Sequence, residues 1–557
     1  MEQRTEGKKR PSPLQYGLLG AWLVLFAANF ALHDSRGLAA VLDAFKYLIP
    51  AANFFAGRGY TYLGQPHLLF PPGYGLTVVP LYLAGFELVE AALIINVIGL
   101  ALACLFTYLI CRFYISRTMA LVAILFVVVN AYIMDHATVA LTEMTFMAAI
   151  TGAGYFVLRF IRQPRRNPLN LVVAGGFTGW ATLTRPEGMG IALALIGLLW
   201  IDLLLRQAPP RFRSGLVARL AMYTLIFAAP LTVIYAPYAA FLSKNVGHFT
   251  LTSKSEHNIR YGNAELLENG SPLEKYLYIK QGTQSTLGDD IHRTRTNLVR
   301  HAKYAIKENL AVLAALCLVL AAGAWRDRFW QFPLRLDKTS DIWEALGFCA
   351  FMVSPLLPMS FYLANPRYVV PYSPFVIIGT IVLMERIFLV RSSVGRQIGR
   401  PIFAAAIATP LILLGAYSNI AMSRKKLLDH PLQTAAVALA SLTEARPINV
   451  MSITRSDVAS YYANDRRILP SAYFAGVAPD ASPDQLVETM RTKGLQYLVL
   501  DEAYIGSRPE LASLWTCPPA ACPASLRLAA EQDGRYRIFE VTPVLSTAPQ
   551  RRDLDRF

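Results

Sequence analysis

The segment EAALIINVIGLALACLFTYLIC, Glu90 to Cys111, decides the fold. Past its leading glutamate it carries no charged side chain until Arg112, and its length matches the ~20 residues an α-helix needs to cross bilayer hydrocarbon. Outward from it, similar apolar runs recur at about 15–33, 118–134, 142–161, 171–186, 188–205, 216–242, 309–324, 342–363, 369–390 and 401–421, which predicts eleven crossings in all. Composition agrees. Of 557 residues, 54% are hydrophobic and 16% charged, against about 25% charged in ordinary soluble domains. A string of soluble domains is thereby excluded, and the predicted class is a polytopic α-helical membrane protein.

Lys and Arg number 53 against 37 Asp and Glu, a net charge of +16. In a soluble protein such an excess suggests nucleic acid. Here it is concentrated in short connectors, where cationic residues set membrane orientation, so no nucleic-acid partner is expected. Arg4, Lys8, Lys9 and Arg10 precede the first run. Arg112 and Arg117, Arg162 and Arg166, Arg206 and Arg213, Arg326 and Arg328, and Arg391 and Arg400 follow the even-numbered ones. The positive-inside rule places these turns and the tail 1–14 in the cytoplasm, and the odd number of crossings places the C-terminus outside.

The expected organisation is a membrane domain over 15–421 with outer loops at 34–89 and 243–308, then a small extracytoplasmic α/β domain over 422–557. In the latter, Ile448 to Ile453, Tyr497 to Leu500 and Arg535 to Val541 read as strands. Pro483 to Lys493 reads as a helix capped by Ser482. It has neither a Gly-rich phosphate loop nor a nucleophile elbow, so support or acceptor contact fits it better than catalysis. Cys517 and Cys522 are spaced to close a small disulfide loop in an oxidising compartment, whereas Cys104, Cys111, Cys317 and Cys349 lie in apolar runs as packing residues.

Charges at the outer ends of the runs carry the chemical information, because a charge near hydrocarbon is costly unless paired or used. Asp34 and Asp43 follow the first run and Glu143 opens the fourth. Arg185 and Glu187 sit between the fifth and sixth, and Arg367 between the ninth and tenth. The predicted topology brings all of them to one face. Asp43, Tyr47 and Ala51, four apart, share one side of a short helix, which Gly57-Arg58-Gly59-Tyr60 ends before Phe70-Pro71-Pro72-Gly73-Tyr74-Gly75. A carboxylate there, with arginine and tyrosines nearby, suits deprotonation of a hydroxyl beside a bound phosphate; a solvated aspartate at a helix mouth is the plain alternative. Arg185-Pro186-Glu187 reads as an ion pair that fixes two helix ends. Glu143 either orients an acceptor or serves with Thr142 as a first-turn acid. His67, His136, His248 and His257 show no ligand spacing, so no cofactor is predicted and a divalent cation is left unspecified.

The order Asp43, Tyr47, Ala51, Gly57, then Pro71-Pro72-Gly73-Tyr74, resembles the first outer loop of polyprenyl-phosphate-sugar-dependent membrane glycosyltransferases of the GT-C class. That class includes protein O-mannosyltransferases and aminoarabinose transferases. Leu141-Thr142-Glu143, Leu183-Thr184-Arg185-Pro186-Glu187-Gly188, Thr250-Leu251-Thr252-Ser253-Lys254 with Asn258, and Arg367-Tyr368-Val369-Val370-Pro371-Tyr372 follow in the same order. The similarity covers about residues 15–400. It implies transfer of a hexosyl or pentosyl unit, with inversion, from a polyprenyl-phosphate donor to an extracytoplasmic glycan, lipid or protein acceptor, at the periplasmic face of a bacterial inner membrane. Asp43 would be the general base. Many relatives place a second acid beside it, where this chain has Ala44, so that role is either missing or moved to Asp34 or Glu143. Arg367 beside Tyr368 is the first choice for the donor phosphate, because guanidinium can grip two phosphate oxygens; Lys254 and Arg58 come second. Tyr47, Tyr60 and Tyr74 complete the expected donor contacts, and Asp34, Arg185 and Glu187 support them.

A transporter or flippase is the rival class, with a membrane scaffold or polysaccharide-polymerising protein third. Transport predicts internal repeats and charges near the midplane. The sequence shows neither, and its charges gather at one face.

Overall fold

The computed structural model describes residues 13–32, 43–62, 65–206, 213–254, 287–317, 340–361 and 364–391, and parts of 435–542. The chain divides into two compact units, one holding most residues up to Leu428 and the other most of those from Asp429 onward. Asp34, Asn258, the run 401–421 and residues 255–286 of the second outer loop lie outside the described residues.

The first unit is helical. Its elements are α1 (Pro13–Leu32), α2 (Ala44–Phe55), α3 (Gly73–Leu83), α4 (Leu88–Cys111), α5 (Arg117–Val129), α6 (Ala131–Ala137), α7 (Glu143–Arg162), α8 (Leu169–Thr184), α9 (Gly188–Arg206) and α10 (Arg213–Val246). Beyond residue 286 come α11 (Leu287–Glu308), α12 (Ser340–Val353), α13 (Leu356–Met359), α14 (Pro366–Val369) and, beyond a 3₁₀ turn at Val370–Tyr372, α15 (Ser373–Arg391). Six helices among the described residues are long and apolar enough to cross a membrane, and a seventh is added if α5 and α6, bent by 62°, form one broken span. The bend falls at Asn130, whose side chain leaves the α5 ladder to accept from the N–H groups of Tyr132 and Ile133. The expected crossing at 171–186 is α8, whose 16 residues reach about 24 Å, short of the ~30 Å hydrocarbon core.

Packing is set by small residues where helices cross and by aromatics between them. Phe146, Phe160, Phe227, Phe348 and Phe375 are fully buried. Along α8, Gly175 and Gly179 are four apart, and a Cβ at Gly175 would come within 2.0 Å of the Phe227 carbonyl oxygen on α10. This is the small-xxx-small arrangement that lets two helix backbones approach.

The Pro-Pro-Gly-Tyr-Gly motif has a similar explanation. A Cβ on Gly73 would lie 2.6 Å from the Leu183 carbonyl carbon of α8, and one on Gly75 would lie 2.4 Å from the Tyr47 carbonyl oxygen of α2. The start of α3 is thus wedged between the helix that follows Asp43 and the helix that ends at Arg185. Gly57 and Gly59, at φ +76° and +74°, supply the left-handed turns that end α2, a backbone state costly for residues with a Cβ.

In the second unit four strands form one sheet: β1 (Val450–Ser452), β2 (Tyr497–Asp501), β3 (Leu526–Gln532) and β4 (Tyr536–Val541), in the order β1-β2-β4-β3. β1 and β2 are parallel and the other pairs antiparallel, with a register shift at Leu528/Ala530. Helix α16 (Pro483–Thr492) buries Leu486, Val487 and Met490 in the same apolar cluster as Leu498, Leu500 and Phe539. Ser482 and Gln485 exchange side-chain and backbone hydrogen bonds at its N-terminus, a capping box. Cys517 and Cys522 are disulfide-bonded, with Cα atoms 5.6 Å apart.

Gly75→Ala tests the wedge. The added methyl must push α3 off α2, an overpacking cost of about 1–3 kcal/mol. The purified variant is expected to lose its fold at a lower temperature than wild type, whereas Gly176→Ala, which meets nothing within 4 Å, should leave the transition unchanged.

Candidate functional site

Asp43 is the residue immediately before α2, and Lys46 lies one turn further on. Lys46 Nζ reaches Asp43 Oδ1 at 3.0 Å, the i, i+3 spacing at which side chains on a helix meet. The helix is held by Tyr47, which is buried with its ring edge-on to Phe70 at 4.7 Å and to Tyr74 at 6.1 Å. The Tyr74 hydroxyl donates to Asn96 Oδ1 at 3.2 Å, and the Tyr60 hydroxyl to the Phe70 carbonyl at 2.8 Å.

Opposite Asp43 stands Arg367. Asn365 caps α14 by accepting from the Arg367 N–H, which turns the guanidinium toward two carboxylates. Its Nη1 donates to Asp43 Oδ2 at 3.1 Å and its Nε to Glu143 Oε1 at 2.7 Å. Glu143, the first residue of α7, is fully buried. The same Oε1 accepts from Arg185 Nη1 at 3.0 Å, and Arg185 Nη2 reaches Glu187 at 3.4 Å. Arg185 also lies over the Tyr368 ring at 5.2 Å and the Phe146 ring at 5.5 Å. One continuous chain of charges therefore runs Lys46, Asp43, Arg367, Glu143, Arg185, Glu187. Among the described residues Glu143 Oε2 has no hydrogen-bond partner, and neither does the neighbouring Thr142 hydroxyl.

Lys254 enters from the second outer loop. Tyr235 donates to the Leu251 carbonyl and Ser253 to the Leu68 carbonyl, fixing the segment just before it. The Lys254 ammonium is buried, 5.1 Å from the centre of the Phe70 ring and 5.9 Å from that of Tyr368, positions suited to cation–π attraction. It makes no salt bridge among the described residues. Burial lowers its pKa, and despite the attraction of Glu187 the positive neighbours Arg185 and Arg367 help hold it at about 8. For Asp43 burial acts upward, but Lys46, Arg367 and Lys254 together outweigh it and hold the carboxyl at about 2. Burial also raises Glu187, and the charges of Arg185 and Lys254 bring it below the ordinary carboxylate range. Burial pushes the Tyr47 hydroxyl above its usual value.

Of the residues singled out from sequence, Asp43, Tyr47, Glu143, Arg185, Glu187, Lys254, Arg367 and Tyr368 come together. Tyr60 and Tyr74 are buried nearby, but their hydroxyls are used in holding the α2–α3 region. Arg58 lies apart from them. It is exposed at the far end of α2 and donates to Asn53 Oδ1 at 2.9 Å, because the 12-residue helix carries it about 18 Å along the axis from Asp43. Arg367, the first choice for the donor phosphate, is occupied by two carboxylates, whereas Lys254 pairs with none among the described residues. Sequence reasoning passed over Lys46 and Phe70. The Asp-x-x-Lys spacing on a helix was the available signal for the first; nothing local marks Phe70 as the ring under two lysines, Lys46 at 5.7 Å and Lys254 at 5.1 Å.

Three carboxylates and four cations make up the cluster, an excess of one positive charge that an anion would neutralise. Among the described residues no three His, Cys, Asp or Glu side chains group as metal ligands; Asp43 and Glu143, the carboxylates facing each other, are joined through Arg367.

No protein-family model matches the chain, and no curated relative matches it in sequence. Solved structures do match. ArnT from Cupriavidus metallidurans in the apo state superposes with a TM-score of 0.57 at 15% identity, covering 94% of this chain and 98% of that one. The same protein bound to undecaprenyl phosphate gives 0.58 at 15%, with 96% and 99% covered. The archaeal oligosaccharyltransferase AglB from Archaeoglobus fulgidus, in complex with an inhibitory peptide and a dolichol-phosphate, gives 0.52 at 12%, with 88% and 70% covered. At these identities the likeness is one of fold. The chain has the polytopic helical fold of the GT-C membrane glycosyltransferases that its outer-loop motifs resemble.

Proposed function

We propose that the chain is an integral membrane glycosyltransferase that moves a sugar from a polyprenyl-phosphate donor to an acceptor hydroxyl or amine, at the face where Asp43 and Arg367 meet. The observation that carries this reading is the pairing of a restrained carboxylate, Asp43, with a buried cation, Lys254, that has no carboxylate partner among the described residues. The ArnT structure with undecaprenyl phosphate and the AglB structure with dolichol-phosphate support it by analogy.

The donor phosphate occupies the positive excess, with Lys254 as its first partner and Arg367 and Lys46 within the same cluster. The acceptor oxygen or nitrogen attacks the anomeric carbon while the bond from that carbon to the phosphate oxygen breaks. The acceptor proton passes to Asp43, and the polyprenyl phosphate departs as an anion. Cations already fixed in place stabilise the charge that develops on it.

A carboxyl held at about 2 is a weak base, and donor binding resolves this. Phosphate oxygens compete for Arg367 and Lys254, which weakens two of the three cationic influences that depress Asp43 and gives burial, which acts upward, more weight, while Lys46 keeps its ion pair with the carboxylate. The base is thus weak until the donor arrives. Glu143 keeps Arg367 tethered at 2.7 Å during this exchange and takes the place of the missing second acid at Ala44. The acceptor lies against the face of Asp43 away from Lys46, and the extracytoplasmic side of a bacterial inner membrane is the expected compartment.

Asp43→Asn keeps the size of the side chain and removes its basicity. In membranes supplied with a polyprenyl-phosphate sugar, turnover is expected to fall about 10²- to 10⁴-fold, the range general-base catalysis contributes, at unchanged expression; wild-type turnover would exclude Asp43 as base. The donor dependence should carry the Lys254 titration. Lys254 is charged below about 8 and neutral above it, so KM for the donor should rise as pH increases through that value, and Lys254→Met should remove the rise. Finally, Arg185→Met leaves Glu143 with one cation and Glu187 with none, whereas Glu143→Gln keeps the volume. Breaking a buried pair costs about 3–5 kcal/mol, so thermal unfolding should show Arg185→Met to be the more damaging to stability.

A further inference from the structure

Helix α11 reverses the usual amphipathic arrangement. Its buried side is polar: Arg293, Asn297 and His301, four residues apart, are 3%, 2% and 3% exposed. Arg293 Nε donates to the Phe361 carbonyl at 2.8 Å, Asn297 Nδ2 to the Ser360 carbonyl at 3.1 Å, and His301 Nδ1 lies 3.1 Å from Ser360 Oγ. These contacts satisfy carbonyls left at the end of α13, which answers the need of a helix terminus for partners. The consequence is on the other side. Ile291, Leu298, Val299 and Ile306, spaced by seven and eight and so on one face, are 62%, 44%, 49% and 56% exposed.

A soluble helix with that stripe would bury it. Here it is accompanied by cations. Arg295 and Lys303 are exposed, Arg300 is half-buried, and none of the three forms an ion pair among the described residues. Lys307 is exposed and lies over the Tyr132 ring at 5.9 Å. From Ile291 to Lys307 the sequence contains no Asp or Glu. Asp290, just before, is taken up by Arg293. Over Ile291 to Lys307 the outward surface therefore combines an apolar stripe with basic side chains that form no ion pair among the described residues.

We propose that α11 is a lipid-binding helix that lies in the plane of the bilayer surface, its Ile291/Leu298/Val299/Ile306 stripe among acyl chains and Arg295, Arg300 and Lys303 on anionic phospholipid headgroups. An apolar stripe beside a basic face is the pattern that binds such interfaces, and the polar side that ordinarily faces water is here fastened to the protein. Because Ser360 and Phe361 precede Arg367 by only a few residues, the helix also anchors the segment that leads to the charged cluster against the membrane. The partner is a lipid surface and not a second protein: the cations are spread along the helix instead of forming a pocket, and the stripe between them is only one helix wide.

The test uses the full chain in lipid nanodiscs, with Cys317→Ser removing the exposed free thiol; Cys104, Cys111 and Cys349 are buried. A nitroxide placed through Leu298→Cys is expected to relax faster with oxygen than with a water-soluble nickel chelate, as in lipid. A label at Gln485, on an exposed side of the second unit, should show the reverse. In discs of phosphatidylethanolamine with a minority of phosphatidylglycerol, native mass spectrometry should find phosphatidylglycerol retained by wild type. Arg295→Gln and Lys303→Gln should each lower that retention about fivefold, the factor equivalent to ~1 kcal/mol per basic residue at an anionic surface. Chelate access at Leu298 equal to that at Gln485 would overturn the proposal. So would unchanged phosphatidylglycerol retention in the two charge variants, which keep the polar contacts to Ser360 and Phe361 and so should fold.

Discussion

A single carboxylate oxygen, Glu143 Oε1, accepts from both Arg185 and Arg367, and the site depends on that sharing. Glu143 is wholly buried at the start of an apolar helix, where an uncompensated charge would be very costly. The two guanidiniums that answer it are far apart in the unit's sequence, one at the end of α8 and one in α14. Their convergence fixes the mutual position of three helix termini. Asp43 is then drawn in through the second arm of Arg367, and α2 follows it. Such a pair is weak support for stability in itself, since apolar residues of equal volume often serve as well. Its value lies in geometry: it places a carboxylate, a guanidinium and a buried ammonium within one small volume at the rim of an apolar bundle.

The glycines around the cluster belong to the same constraint. Arg185 reaches Glu143 only if α8 ends where it does, and Gly73 allows α3 to pass against the backbone at Leu183. Tyr47 occupies its place between Phe70 and Tyr74 only if α3 passes close beneath it, which Gly75 permits. The Pro-Pro-Gly-Tyr-Gly motif is therefore a spacer with little chemistry of its own. Its tyrosine is spent on Asn96, and its glycines let the backbone carrying the acid approach the backbone carrying Arg185.

What could be read in advance follows from how local each signal is. Apolar runs state themselves within ~20 residues, so Leu88–Cys111, Glu143–Arg162 and Pro366–Glu385 emerge at the expected places. The helix after Asp43, its glycine stop and the capped helix at Ser482 are likewise local. Charges at run ends could be named one by one, and a topology that sends them to one face suffices to gather Asp43, Glu143, Arg185 and Arg367. Contact is another matter. That Arg367 would bridge two acids and leave Lys254 as the free cation depends on separations of more than 200 residues in sequence, which no spacing rule encodes. Arg58 shows the limit of nearness in sequence, since the helix between it and Asp43 carries it away from the cluster. β3 escaped because Leu526–Gln532 buries only its first residue and alternates poorly, so the period-2 pattern of a half-covered strand is absent. The polar inner side of α11 escaped for the opposite reason. Its periodicity is strong, but the usual rule assigns the apolar stripe to the core, and in a membrane protein lipid is a second apolar environment for that stripe.

The charge surplus of the cluster bears on why Asp43 is restrained at all. An unrestrained aspartate at a membrane rim would be hydrated and free to activate water as readily as an acceptor. Bound between Lys46 and Arg367, it has little tendency to take a proton from anything. The interaction that relaxes this restraint must draw the cations away, and a phosphate does so because it offers guanidinium and ammonium groups stronger, charge-assisted hydrogen bonds. Under the proposed reading the donor is therefore substrate and activator at once: its phosphate releases the base next to its own anomeric carbon, so the acceptor is deprotonated only when a sugar is present to receive it. Neutral substrates would not achieve this, since they leave Arg367 and Lys254 where they are. That difference separates a lipid-phosphate sugar from lipids that carry no phosphate.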